Sequence, residues 1–88
     1  GQVHLVLRPE PPGVLVIQGD HPAEMYIDGV LVKENVQNSG PQELRSGAHQ
    51  VRVRLVSGEV VEETIELRAR ERVVYDFSTR QVKRSAVP

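Results

Sequence analysis

The 88-residue chain is 39% hydrophobic and 26% charged, a balance that suits one small soluble domain and excludes a disordered chain. A domain of this size buries roughly 60–65% of its unfolded surface, which leaves little room for a deep catalytic cavity. A net charge of −1 and the lack of cysteine exclude a strongly basic nucleic-acid face, disulfide staples and thiolate chemistry.

Valine occurs sixteen times, against one phenylalanine, two tyrosines and no tryptophan. Branched side chains favour pleated strands over helices. No apolar run approaches the ~20 residues that span a bilayer, so direct membrane insertion is not expected. The chain opens at Gly1 without methionine or a signal-peptide pattern, and it reads as a piece of a longer polypeptide. Charge is uneven, −4 over residues 1–44 and +3 over residues 45–88, but strands from both halves interleave in a compact sheet.

In chain order, Val3, Leu5 and Leu7 alternate with His4, Val6 and Arg8 as in a half-buried strand. Prolines 9, 11 and 12 then make residues 1–12 a strand followed by a stiff connection. Val14 to Gly19 and Ala23 to Ile27 read as two strands, and Val30 to Val32 as a third. Residues 33–44 read as a loop with one weak strand.

The alternation sharpens beyond Gly47. Val51, Val53 and Leu55 share one face with Arg52 and Arg54 opposite, and Val61, Ile65 and Leu67 oppose Glu62, Thr64 and Glu66. For both apolar faces to agree, the turn at Ser57-Gly58 needs a three-residue loop or a bulge rather than a two-residue turn. Val73, Tyr75 and Phe77 close the pattern, and residues 79–88 read as a basic flexible tail. The expected fold is all-β, a small antiparallel β-sandwich of about seven strands over residues 13–78.

Asp28-Gly29 between two apolar runs is a strong hairpin signal, because a type I′ turn takes positive φ at both central positions. No second carboxylate, nucleophile or histidine adjoins Asp28 in sequence. Asp28 is therefore read as a turn residue, replaceable by asparagine.

These residues carry a resemblance. Ala23 to Gly29, Ser46 to Val53 and the later run from Gly58 to Leu67 resemble the PEGA domain, a small bacterial β-sandwich. Ala23, Tyr26, Asp28, Gly29, Gly47, His49 and Gly58 fall at the places of its motif, and the resemblance spans about residues 13–77. It implies a non-catalytic accessory domain of surface-layer, envelope or protein-kinase polypeptides, extracytoplasmic or at the bacterial cell envelope, with a cytoplasmic location left open. His49 is then expected to anchor the loop that enters its strand.

Other candidates are weak by spacing. His4, His21 and His49 lack metal-ligand spacing, and a zinc site with Asp20 or Asp28 would need chance convergence. Ser39, Ser46 and Ser57 adjoin glycines without a nucleophile elbow. No metal, cofactor or catalytic residue is expected. Arg52 and Arg54, with Arg68, Arg70 and Arg72, form an outward stripe for an anionic glycan or, more in keeping with the interspersed glutamates, cross-strand ion pairs. The partner is expected to be protein, a neighbouring domain or another copy, met through the edge strand Val3, His4, Leu5, Val6 and Leu7.

Overall fold

A computed structural model describes residues 11–87. They form seven strands and no helix: β1 (Gly13–Ile27), β2 (Val30–Asn38), β3 (Gln42–Leu44), β4 (Gly47–Leu55), β5 (Val60–Leu67), β6 (Glu71–Asp76) and β7 (Gln81–Ala86). The all-β, seven-strand expectation holds. The strands make one mixed sheet, ordered β5-β4-β1-β6-β7 with β2 and β3 also on β1, curled into a half-barrel.

The curl follows from β1. Its 15 residues absorb what the sequence presents as two strands, because pairing continues on both sides of the Gly19-to-Pro22 break. The first half pairs with β6 in parallel (Val14 with Arg72 through Gln18 with Asp76) and with β3. The second half pairs antiparallel with β4 (Ala23 with Leu55 through Ile27 with Val51) and with β2. Register shifts between Gln18 and Ala23 put Pro22 in a bulge, where its missing amide costs no ladder bond.

Phe77 locks the bend. Its ring packs so closely on Gly19 that a Cβ there would stand 2.1 Å from Cζ. Ser39 pins the same region from the other side. It is buried, accepts the Ile17 amide on Oγ at 2.9 Å and donates to the Gly40 carbonyl at 2.7 Å.

The curl buries the faces that the alternation assigns to the core. Leu15, Ile17, Met25, Val51, Val53 and Val73 are fully enclosed, each such side chain adding about 1.5–3 kcal/mol over its exposed form. Arg52 and Arg54 point to solvent. The β4–β5 loop is Val56, Ser57 and Gly58, closed by the Leu55 amide on the Glu59 carbonyl at 2.8 Å, which is the three-residue loop that the parity requires.

Two expectations are corrected. Residues 33–38, within the segment read as a loop with one weak strand, continue β2, and the bulges and the positive φ of Asn35 (55°) explain why their alternation is illegible. Residues 81–86, read as tail, form β7, paired along its whole length with β6 from Asp76 with Gln81 to Glu71 with Ala86. Every β7 residue is exposed, so the strand carries no burial pattern and is held by backbone bonds and one arginine. The Arg84 guanidinium bonds the Glu71 carboxylate at 2.6 Å and the Glu66 carbonyl of β5 at 2.7 Å. The domain thus extends past Ser78, and that single side chain spans the open side of the half-barrel. The edge strand expected at Val3 to Leu7, with His4, lies outside the described residues.

Two segments distant in sequence meet at Arg70. The Arg70 amide bonds the Pro12 carbonyl at 3.1 Å, and the Val87 amide bonds the Arg70 carbonyl at 2.7 Å.

Candidate functional site

Polar chemistry gathers at two opposite ends of β1's paired segments. At one end, Asp28 and Gly29 make the two-residue turn between β1 and β2, with Ile27 paired to Val30 and φ of 52° and 81°. These values fit the type I′ turn, and the 81° region suits glycine because it has no Cβ to clash. Asp28 does more than turn the chain. Its Oδ1 accepts the Gln50 amide at 2.9 Å, its Oδ2 accepts His49 Nδ1 at 2.6 Å, and its own amide bonds the Gln50 carbonyl at 2.8 Å.

His49 is buried, and its Nε2 meets the Arg45 carbonyl at 2.6 Å. Both partners of the ring accept hydrogen bonds, so both nitrogens carry protons and the imidazolium is the favoured form. Burial works against that charge. The Arg45 carbonyl and the Asp28 carboxylate outweigh it, and the His49 pKa is raised. Asp28 is lowered, chiefly by the His49 bond and then by the Gln50 amide. His49 therefore anchors the segment entering β4. The arrangement is a clamp whose atoms are all in use.

At the other end the β1 bend, the β4–β5 loop and the β6–β7 turn surround a cavity of about 620 Å³. Leu55, Val61 and Phe77 line its apolar part, and Asp20, His21 and Arg80 line its polar part. Asp20 Oδ1 accepts the Ser78 hydroxyl at 2.5 Å and His21 Nδ1 at 2.7 Å, while Ser78 Oγ accepts the Asp20 amide at 2.7 Å. The Asp20 pKa is lowered, first by Ser78 and then by His21. A nucleophilic serine needs a hydrogen bond to a base able to take its proton. Here the hydroxyl faces a carboxylate that holds its own proton poorly, and His21 sits on the far side of Asp20. The trio ties the bend to the turn rather than activating Ser78. Its sequence signal was slight: Asp20 and Ser78 are far apart in the chain, and only the bend and the β6–β7 turn bring them together.

The remaining candidates separate. Ala23 is buried in the core, Gly47 opens β4 and Gly58 ends the β4–β5 loop. Arg52 sits opposite Glu62 on β5, with its Nε 3.7 Å from the carboxylate, and Arg54 sits opposite Glu24 on β1. The five-arginine stripe does not form, because β1 lies between β4 and β6 and keeps Arg72 away from Arg52 and Arg54. Cross-strand pairing is the arrangement found. Among the described residues no group of three or more histidines and carboxylates converges as a metal site.

Comparison of the chain with protein-family models, with curated proteins and with solved structures yields no match.

Proposed function

We propose that this chain is a non-enzymatic, PEGA-like interaction module of a larger bacterial polypeptide, envelope-associated or part of a signalling kinase. One observation carries the reading: the side chains best suited to chemistry hold the fold together. Asp28 and His49 clamp the hairpin to β4, Ser39 pins β2 to β1, and Asp20 with Ser78 closes the bend. What remains available to a partner is backbone at the strand edges and a mixed-charge surface, the means by which sheet proteins recognise other chains. The bacterial, envelope and kinase settings rest on the resemblance of Ala23 to Gly29 and Gly47 to His49 to the PEGA motif.

A plain spacer is the second form of this reading. Pro12 and Val87 both bond Arg70, so residues 12 to 87 add little reach of their own, which disfavours it. The test replaces residues 13–87, within the polypeptide that carries them, by an unrelated sandwich of equal length. Loss of the polypeptide's association with its partner supports the interaction module, and full retention leaves only the spacer. Turnover of a model ester or phosphate by the purified chain, abolished by Ser78→Ala, overturns both.

A further inference from the structure

We infer that the half-barrel pairs with a second copy of itself through unlike edges, β5 of one copy receiving β7 of the next. The inference rests on the interaction reading above and names the partner.

Among the described residues, two long edges of the sheet are regular and carry no further strand: β5 pairs only with β4, and β7 only with β6. Their charges are opposite. Val60–Leu67 holds Glu62, Glu63 and Glu66 and no basic residue, whereas Gln81–Ala86 holds Lys83 and Arg84 and no acidic residue. β7 has neither proline nor bulge, and its six residues offer a ladder of about 20 Å.

The charges choose among the possible pairings. β5 against β5 sets glutamates against glutamates, and β7 against β7 sets cations against cations, both destabilising across a ladder. Only the unlike pairing brings opposite charges together, so the same residues block two assemblies and favour the third. The side chains it needs are available. Lys83 stands opposite Val74, on the other face from Arg84, and among the described residues neither it nor Glu66 makes an ion pair. Arg84 occupies the Glu66 carbonyl on the outer side of β5, so an incoming β7 takes that acceptor from the brace, and Arg84 keeps its bond to the Glu71 carboxylate. The third edge, β2, is unsuited: register shifts break its ladder, Asn35 turns left-handed within it, and Lys33 and Glu34 cancel. An unlike edge-to-edge contact is heterologous, and it propagates into rows of copies rather than closing as a dimer.

The test is sedimentation velocity of the full 88-residue chain against concentration. Wild type is expected to associate progressively at low ionic strength and to dissociate at ~0.5 M salt, where charges on exposed strands are screened. Lys83→Glu alone and Glu66→Lys alone should each stay monomeric. An equimolar mixture of the two should associate again, since each supplies the charge that the other lacks. The doubly exchanged chain should do so by itself. Far-UV circular dichroism confirms folding, and Lys83→Gln with Glu66→Gln, which remove charge without reversing it, weaken association severalfold if a reversed variant does not fold. A wild type monomeric at every concentration overturns the inference, as does a charge-reversed variant that associates like wild type. In either case a partner lost on replacing residues 13–87 would leave the interaction module standing with a different ligand.

Discussion

Replacing Gly19 by alanine puts a methyl group where the Phe77 ring already lies. The added carbon would stand 2.1 Å from Cζ and 2.3 and 2.4 Å from the two Cε atoms, whereas carbon atoms in ordinary contact sit about 3.5–4.0 Å apart. The ring must therefore retreat by roughly 1.5 Å, and Phe77 is only 4% exposed, with the core around it. Overpacking of this kind costs about 1–3 kcal/mol. At 4–8 °C per kcal/mol for a domain of this length, a loss of about 2 kcal/mol lowers the melting temperature by ~8–16 °C. Thermal denaturation followed by circular dichroism reads it directly. The same substitution in a Phe77→Leu background should cost much less, giving a coupling of about 1–2 kcal/mol in the double-mutant cycle. Gly29→Ala is the contrast: no atom lies within 4 Å of the place its methyl group would take, yet φ is +81°. Its cost is backbone strain of about 1 kcal/mol, independent of residue 77. A wild-type melting temperature for Gly19→Ala, or strict additivity with Phe77→Leu, would refute the steric argument.

Asp28→Asn keeps the turn but replaces a carboxylate that accepts two donors by an amide with one acceptor oxygen, so a loss of about 1 kcal/mol in urea denaturation is expected, half-exposure of Asp28 limiting the effect. The clamp also sets a pH window. The raised His49 pKa contributes stability in full below its ordinary value of 6.5 and loses it as pH rises through the folded value, while the lowered Asp28 pKa contributes above 3.8 and loses it as pH falls through the folded value. The difference in urea midpoint between wild type and His49→Gln should be largest between about pH 4 and 6.5 and shrink on both sides. Tyr75→Phe should be neutral or stabilising by up to about 1 kcal/mol in the same assay, since the buried Tyr75 hydroxyl makes no hydrogen bond among the described residues.

The legible parts of this fold are those where one face of a strand is buried. Val51, Val53, Val61, Ile65, Val73 and Tyr75 alternate because solvent lies on one side only, and each is buried. Asp28-Gly29 was legible as a turn because its backbone conformation restricts the residues that fit. The carboxylate's second role was not, because His49 and Gln50 reach Asp28 only after β4 pairs with β1. β7 escaped for the opposite reason: exposed on both faces, it needs no apolar pattern, and its register comes from β6. The continuity of β1 across Pro22 likewise depends on neighbours that bridge the bulge, which no local pattern records.

The meeting of Pro12 and Val87 at Arg70 gives the domain a particular response to tension. A pull applied through those two points first loads the two hydrogen bonds to Arg70. The next bonds in line hold Ala86 to Glu71 and Ser85 to Arg72, and they open in succession rather than sharing the load. Force would peel β7 away from β6 like a zip, releasing length at low tension, while the buried core around Tyr75 and Ile17 stays closed until the last rung has gone.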